Sequence, residues 1–285
     1  MENVIEIKNL CKKYSEFELN NINLSLPKGT IMGLIGENGA GKSTTIKLML
    51  NIIGKDSGTV SLFGLDSIKD GRKLKEDVGA VLDDSFLSEY LCPNDMNKIM
   101  KNFYNNWDEK LFFQYMDEFK LPRTQISKDY SSGMKMKLKI ATALSHHPKL
   151  LILDEPTSGL DPVARNEILD IFQDFIQDEE NSILVSSHIT SDLEHIADYI
   201  TFINEGEIVF TKSRDDLLEK YGIVKCSKSD FDKFDKKDYI KCKRNKYEYE
   251  VLVEDKAKFY KKYRTNVIDK PTIEEIMLIY IKGEK

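Results

Sequence analysis

The stretch that decides the fold is residues 30–51, which read TIMGLIGENGAGKSTTIKLMLN. Its first part is apolar like a buried strand, its middle matches the pattern G-x-x-x-x-G-K-[ST], and its last part has apolar residues at helical spacing. A glycine loop between a strand and a helix presents successive backbone N–H groups, and the helix dipole adds partial positive charge. The stretch therefore predicts a phosphate-binding site.

The residues of this loop offer the contacts that a nucleotide phosphate needs. Lys42 would bring a full positive charge to the β- and γ-phosphates, and Ser43 would offer its hydroxyl to Mg²⁺. Glycines permit the backbone angles and the close phosphate approach that a Cβ atom would block. A glycine-rich turn without a ligand is the alternative, which the flanking strand and helix disfavour. The predicted nucleotide-binding residues of the loop are Gly36, Glu37, Asn38, Gly39, Ala40, Gly41, Lys42, Ser43 and Thr44.

A second apolar run, residues 150–155, reads LLILDE and closes on two acids. In a phosphate-loop enzyme the first acid of such a pair anchors Mg²⁺, and the second can hold and polarise the attacking water. We therefore expect Asp154 to be a metal ligand, together with Ser43, and Glu155 to be catalytic. A tight loop follows, in which Asp161 is a capping acid.

Two further strand ends carry polar side chains. Residues 78–82 form a short strand that ends at Asp83, and residues 182–188 form a buried strand that ends on His188. Because strands of one parallel sheet end at the same edge, Asp83 could reach the metal or its water, and His188 could donate to a phosphate oxygen. A plain turn carboxylate is the alternative for Asp83.

Two other signals are weak by themselves. Ser131, Ser132 and Gly133 stand at the start of a basic amphipathic helix, where hydroxyl groups and a helix N-terminus make a second candidate anion site. Ser-Ser-Gly is also a common helix cap. Tyr14 precedes the phosphate loop and could stack on a base, although taken alone it is more simply a packing residue.

Composition limits the classes of protein that this chain can represent. A chain of 285 residues with 41 % hydrophobic content can bury a core. From residue 223 to the end there are 17 Lys and Arg against 12 Asp and Glu, so this part carries +5 and the first 222 residues carry −11 of the total −6. The acidic main part argues against nucleic acid as the primary ligand. The basic tail could face phospholipid headgroups or an acidic partner, and a solvated surface explains it equally well.

The cysteines and the apolar segments predict a reduced, cytoplasmic environment. Cys11, Cys92, Cys226 and Cys242 show no C-x-x-C pairing, so we expect free thiols rather than a zinc site or a disulfide framework. The sequence shows neither a signal peptide nor a run of roughly 18 apolar residues. If the protein works at a membrane, we expect another chain to cross it.

The order of the elements predicts an α/β fold. Alternating strands open the chain, a helical segment occupies about residues 86–145, and a hairpin and a capped helix at residues 213–218 follow. The composition then shifts to lysine, tyrosine and aspartate. We divide the chain into residues 1–220, which hold the phosphate loop, and a small appendage at residues 221–285.

The order of these motifs resembles that of the ATP-binding cassette ATPases, the nucleotide-hydrolysing subunits of ABC transporters. The resemblance covers roughly residues 3–220. It implies a P-loop NTPase core with an N-terminal antiparallel β-subdomain, an inserted helical subdomain and a small α+β C-terminal appendage. By resemblance, residues 36–44 are the Walker A loop, residues 150–155 are Walker B with its catalytic glutamate, and residues 158–161 are the D-loop. His188 matches the switch histidine, and Tyr14 matches the adenine-stacking aromatic residue.

The chain departs from the family pattern at two places. The family signature is Leu-Ser-Gly-Gly-Gln, whereas residues 130–134 read Tyr-Ser-Ser-Gly-Met. Ser131 and Gly133 keep a phosphate-facing serine and one glycine, so ATP contact is expected to survive. Asp83 stands at the position of the Q-loop glutamine; it can approach Mg²⁺ but cannot donate an amide hydrogen bond. Both variants resemble the bacterial exporter branch with separate ATPase and permease chains, which includes lantibiotic and bacitracin export systems.

The resemblance also implies the cofactors and the partners. They are ATP and Mg²⁺, a second cassette packed head to tail, and an integral membrane permease that holds the chain on the cytoplasmic face of the cell membrane. Each ATP would lie between the Gly36 loop of one copy and the Ser131 segment of the other.

Two other functions are possible for a chain with these motifs. A soluble ABC ATPase of DNA repair or translation would carry a long coiled-coil insertion or two cassettes, and this chain shows neither. A non-hydrolytic ATP-dependent switch would not need both Glu155 and His188.

Overall fold

Three β-sheets and the helices around them make up the chain. The computed structural model describes residues 2–82, 88–246, 248–264 and 268–285. Its strands are β1 (Asn3–Lys13), β2 (Glu18–Pro27), β3 (Ile31–Ile35), β4 (Ser57–Leu62), β5 (Leu65–Asp66), β6 (Val78–Val81), β7 (Leu150–Asp154), β8 (Ser182–Ser187), β9 (Tyr199–Asn204), β10 (Glu207–Ser213), β11 (Gly222–Cys226), β12 (Lys241–Arg244), β13 (Tyr249–Val253) and β14 (Ile268–Asp269).

The helices differ widely in length. They are α1 (Lys42–Met49), α2 (Gly71–Leu74), α3 (Pro93–Phe103), α4 (Glu109–Glu118), α5 (Ser132–Leu144), α6 (Pro162–Phe175), α7 (Thr190–Ile196), α8 (Lys228–Phe231), α9 (Lys256–Tyr263) and α10 (Ile273–Lys282), with a 3₁₀ turn at Ser127–Asp129 and a π-helical turn at Asp216–Lys220. Within the described residues, no helix combines the length and the apolar character that a membrane span requires.

The central sheet has six strands in the order β10-β9-β3-β8-β7-β6. β9, β3, β8, β7 and β6 run parallel, and β10 pairs antiparallel at one edge. Every residue of β3, β7 and β8 is buried, because helices and a second sheet cover the two faces. The carboxyl ends of these three strands meet at one edge, and the loops that follow them build the candidate site.

The N-terminal sheet has the order β2-β1-β4-β5 and is antiparallel. Alternate residues of β2 are buried, including Ile22, Leu24 and Leu26, and they share a core with Met32 and Ile152 of the central sheet. The alternation of apolar and polar residues that predicted these strands therefore arises because one face of the sheet is buried.

Helices α3 to α5 form the predicted helical segment. Their own small core contains Met96, Phe112, Met116 and Leu138. The indole N–H of Trp107, on the α3–α4 connection, donates to Asn97 Oδ1 at 2.8 Å and so gives this core a polar anchor.

The C-terminal sheet has the order β12-β13-β11-β14 and is antiparallel, with α8, α9 and α10 around it. Thr272 and Glu275 form the capping box that begins α10. The α/β fold with an antiparallel N-terminal sheet, a helical segment and an α+β appendage is therefore confirmed.

The capped helix predicted at residues 213–218 is present as a helical segment that begins at Arg214 and continues into the π-helical turn. β10 extends to Ser213 by pairing with Tyr199, so Ser213 is both the last residue of the strand and the cap of the helix. The Ser213 hydroxyl then accepts the Asp216 N–H at 3.1 Å, and the π-helical turn follows. The strand pairing and the local capping signal are thus both satisfied at Ser213. All four cysteines are free thiols, as predicted.

Candidate active site

The loop after β3 is shaped by three glycines with different constraints. Gly39 and Gly41 have φ values of 85° and 112°, which an L side chain rarely adopts. Gly36 does not need such an angle; a Cβ there would lie 2.4 Å from the carbonyl oxygen of Ile203 at the end of β9. The loop can therefore pack on β9 only with glycine at position 36.

Lys42 lies folded back over its own loop. Its side chain is only 6 % exposed, and its ammonium group donates to the carbonyl oxygens of Gly36 at 2.8 Å and Glu37 at 3.3 Å. Glu155 Oε1 lies 3.2 Å from the same nitrogen and balances the buried charge. The loop thus holds a fixed positive charge at its centre, where a phosphate group would bind.

The two acids at the end of β7 are held by one serine of β8. Asp154 is 2 % exposed, and its Oδ1 accepts the hydroxyl hydrogen of Ser186 at 2.6 Å. The same hydroxyl oxygen accepts the Glu155 N–H at 3.0 Å. Glu155 has a φ of 51°, an angle uncommon for a residue with a side chain, and this turn directs its carboxylate toward the loop.

His188 closes the group from the end of β8. Its Nδ1 lies 2.7 Å from Glu155 Oε2, and its backbone N–H donates to the same oxygen at 3.3 Å. Because an ionised carboxylate can only accept, Nδ1 carries the proton in this contact. Glu155 therefore contacts Lys42 through one oxygen and His188 through the other. Its Oε1 is buried and, beside the ion pair with Lys42, receives no aligned hydrogen bond from the described residues.

A second group of predicted residues lies at the start of α5 and α6. Ser131 caps α5 by accepting the Met134 N–H at 3.2 Å, and Asp161 caps α6 by accepting from Val163 and Ala164. A Cβ added at Gly133 would lie 3.1 Å from the Ala164 Cβ, so the two helix starts are close-packed. Ser131, Ser132 and Asp161 are exposed to solvent.

Tyr14 follows the end of β1 and is 44 % exposed. Its ring centre lies 6.5 Å from that of Phe17, and the Lys12 ammonium lies 5.7 Å from the Tyr14 centroid. Phe17 in turn comes within 3.1 Å of the Cβ position at Gly41. An aromatic surface therefore adjoins the phosphate loop, and sequence reasoning identified only its Tyr14 half.

The donor set around the loop suits Mg²⁺ bound mainly through a substrate. The described residues contain no group of three His, Cys, Asp or Glu side chains that could enclose a metal ion. Asp154 and the half-buried Ser43, in the first turn of α1, offer one carboxylate and one hydroxyl. Mg²⁺ often takes few protein ligands and completes its shell with phosphate oxygens and water. Asp83, the third predicted ligand, lies outside the described residues.

The sequence and the structure of this chain are similar to those of known proteins. The ABC transporter family profile matches residues 19–158. The lantibiotic transport ATP-binding protein SrtF of Streptococcus pyogenes is 38 % identical over 216 residues, which are 74 % of this chain and 92 % of SrtF. The chain belongs to the ABC transporter ATP-binding subunits.

Other ABC transporter ATP-binding subunits extend the comparison. The bacitracin transport ATP-binding protein BcrA of Enterococcus faecalis is 38 % identical over 212 residues, 73 % of this chain and 69 % of BcrA. A solved structure described as the ATP-binding subunit of an ABC transporter superposes with a TM-score of 0.67 at 26 % identity, over 75 % of this chain and 91 % of that one. As a member of this family, the subunit binds and hydrolyses ATP.

Two residues of the site were missed from the sequence. Ser186 was part of a correctly predicted strand, but a serine inside a buried run has no pattern that marks it as a link between two acids. Phe17 lies only three residues after Tyr14, and the spacing of two aromatic residues before the loop could have drawn attention to it.

Proposed function

We propose that this subunit powers an exporter by closing with a second cassette around ATP and opening again after hydrolysis. The observation that carries the proposal is the position of Glu155, which is held between the loop lysine and the strand-end histidine at the carboxyl edge of the sheet. A carboxylate in this place can orient a water molecule toward the terminal phosphate and accept its proton.

The residues around Glu155 have complementary roles. Lys42 would exchange its contact with Glu155 for oxygens of the β- and γ-phosphates, which frees the carboxylate for water. Ser43 and Asp154 would hold Mg²⁺, which neutralises the phosphate charge when bound. His188 would donate to a γ-phosphate oxygen, and we keep Asp83 as a further candidate at the Q-loop position.

The other contacts to ATP are divided between two copies of the chain. Backbone N–H groups of residues 36–44 would surround the phosphates, and Tyr14 would stack on the base with Phe17 behind it. Ser131, Ser132, Gly133 and Asp161 would complete the site of the opposite copy. The exposure of Ser131 and Ser132 at the start of α5 supports this assignment, because a second copy of the chain could reach them.

A separate membrane permease is the proposed partner. SrtF and BcrA are named for lantibiotic and bacitracin transport, and the signature and Q-loop variants also favour this exporter branch. The subunit would then sit on the cytoplasmic face of the membrane through the permease. The net charge of −11 on the first 222 residues argues against nucleic acid as a partner.

We also propose a division into a nucleotide-binding unit, residues 1–220, and an accessory unit, residues 221–285. The separate sheet of β11 to β14 supports this boundary. The helical segment at about residues 86–145, with its own core, would be the subdomain inserted into the nucleotide-binding unit.

Steady-state phosphate release tests the hydrolytic function. Glu155→Gln keeps the size of the side chain but cannot accept the proton, so we expect turnover to fall about 100-fold or more while ATP still binds. Lys42→Ala should instead weaken ATP binding in equilibrium titration. Clear turnover that persists in Glu155→Gln would refute the assigned role, and absence of turnover in the wild type would favour the non-hydrolytic switch.

A further inference from the structure

The last helix of the chain lies beside the histidine of the active site. A cavity of about 390 Å³ separates residues 188–191 from α10, and Gly36 and Glu37 of the phosphate loop line it as well. On the α10 side the lining residues are Glu274, Met277, Leu278 and Ile281, which recur at helical spacing and form one stripe. The His188 loop therefore has room to move, with the α10 stripe as the opposite wall.

The start of α10 is tied to the helix that follows His188. Glu194 of α7 accepts the backbone N–H of Ile273 at 2.6 Å, and Ile273 is the first residue of α10. This N–H is one of those that a helix start leaves without an internal partner. A carboxylate at this position also interacts favourably with the helix dipole. The capping box of Thr272 and Glu275 satisfies other groups of the same turn, so the Glu194 contact is an additional, polar link between α10 and α7.

Helix α7 connects the Glu194 contact with α10 to the loop that carries His188. α7 begins at Thr190, two residues after His188, and its Leu193 and Ile196 are buried in the core of the central sheet. The hydroxyl of Ser187 accepts the Ile189 N–H at 2.9 Å and so ties the loop to the end of β8. The position of α7 is thus fixed by its apolar packing on the central sheet and by the Glu194 hydrogen bond to α10.

Helix α10 is anchored by packing against the main hydrophobic core. Ile273, Ile276 and Ile279 belong to the same hydrophobic core as the central sheet. The Tyr280 ring lies 5.2 Å from that of Phe210 on β10. The helix therefore buries one face in the main core and presents the neighbouring stripe to the His188 loop.

We propose that Glu194 is a positioning residue for His188, through which the C-terminal helix acts on ATP hydrolysis. Glu194 holds the first turn of α10, and the stripe then limits how far the His188 loop can retreat when the imidazole leaves Glu155 for a phosphate. The inference rests on the role of His188 in the proposed function. It gives the C-terminal segment, which supplies no residue to the phosphate loop, a part in setting the turnover rate.

The test compares variants of the full chain by ATP turnover, ATP affinity and thermal unfolding. Glu194→Ala removes the acceptor, so we expect kcat to fall about five- to tenfold while KM for ATP stays within about twofold. Glu194→Gln keeps a carbonyl oxygen that can accept the Ile273 N–H, and its kcat should stay within about twofold of the wild type. Leu278→Trp narrows the cavity beside His188 from the α10 side and should lower kcat by a larger factor than it changes KM for ATP.

Glu275→Ala is the matched control for stability. It weakens the start of α10 through the capping box but leaves the Glu194 contact in place, so Tm should fall as in Glu194→Ala while kcat is preserved. Equal turnover in Glu194→Ala and wild type would overturn the proposal. An equal loss of kcat in Glu275→Ala and Glu194→Ala would also overturn it, because a general loosening of α10 would then suffice. If Glu194→Ala does not fold, Leu278→Trp decides: unchanged kcat contradicts the proposal.

His188→Ala separates this inference from the proposed function. If His188→Ala turns over ATP like the wild type, the role of His188 fails and the positioning role fails with it. If His188→Ala is inactive and Glu194→Ala is fully active, only the positioning role is wrong.

Discussion

At the scale of single residues, the hydroxyl of Ser186 controls both acids of the site. It donates to Asp154 and accepts from the backbone of Glu155, so one side chain of β8 fixes the carboxyl end of β7. The same strand offers a natural comparison. Ser182, at the opposite end of β8, is equally buried and accepts the Gly29 N–H at 3.0 Å, far from the phosphate loop.

We predict that Ser186→Ala lowers both stability and turnover. Removing the hydroxyl leaves a buried carboxylate oxygen and a backbone N–H without their partner, which costs about 1–3 kcal/mol in the free energy of unfolding. Turnover should fall because Asp154 and Glu155 lose their common support. Ser182→Ala should lose similar stability in urea unfolding and keep its kcat. Equal kcat in the two variants would contradict the role of Ser186.

Single residues of the site could be predicted where strand ends made them visible. Lys42, Asp154, Glu155 and His188 each stand at a recognisable boundary in the sequence, and parallel strands bring such boundaries to one edge. Their pairing could not be predicted, because it depends on distances between segments far apart in the chain. The need for glycine at position 36 could not be predicted either, because the carbonyl oxygen that excludes a Cβ there belongs to β9, far away in the sequence.

At the scale of elements, His146 joins the helical segment to the central sheet. It follows α5, its ring stacks on Tyr104 with centroids 4.0 Å apart, and its Nε2 lies 3.2 Å from the Val78 carbonyl oxygen of β6. Burial lowers the pKa of His146 below its ordinary value of 6.5, and the contact with Val78 and the nearby Glu76 oppose this only in part. Burial therefore favours the neutral form of this ring in the folded protein.

We predict that this histidine makes the protein less stable in mild acid. Below the ordinary pKa of about 6.5 the unfolded chain binds a proton that the folded chain takes up only at lower pH, so stability falls as the pH drops from about 7 to 5. His146→Phe keeps the ring stacking and cannot titrate. Its free energy of unfolding should be lower at pH 7, through the lost contact to Val78, and should depend less on pH over about 5 to 7. An unchanged pH dependence in thermal unfolding would contradict this account.

Elements with strong periodicity could be predicted, and contacts between distant elements could not. The apolar runs of β3, β7 and β8 and the glycine loop before α1 form as expected. The capped helix at residues 213–218 also forms, although its continuation as a π-helical turn was not predicted. The contact between α10 and α7 could not be predicted, because a capping box marks where a helix begins but carries no information about what it packs against.

At the scale of the whole molecule, the C-terminal segment shares its core with the ATPase. Tyr280 of α10 packs against Phe202 and Phe210 at centroid distances of 6.3 Å and 5.2 Å. Burial raises the pKa of Tyr280 and that of the neighbouring Tyr221, the latter to about 12, so both rings stay protonated. The division proposed at residue 220 therefore crosses a continuous hydrophobic contact.

We predict that Tyr280→Ala destabilises the whole chain. Removing a ring that lies between the appendage and β10 should cost about 2–4 kcal/mol. Unfolding should remain a single transition if the core is continuous. Tyr260→Ala, on α9, removes a ring that is 57 % exposed and should change stability by less than about 0.5 kcal/mol. Separate unfolding of the appendage in Tyr280→Ala, with the main transition unshifted, would show that the two parts are independent.

The central claim is that ATP binds between two copies of this chain and that Glu155 ends that state by hydrolysis. The most direct test is the mass of purified Glu155→Gln, measured by light scattering after gel filtration with Mg²⁺ and ATP. We predict a stable dimer with ATP and a monomer without nucleotide, with Ser131→Arg as a control that prevents dimer formation. A Glu155→Gln protein that binds ATP and stays a monomer would contradict the account.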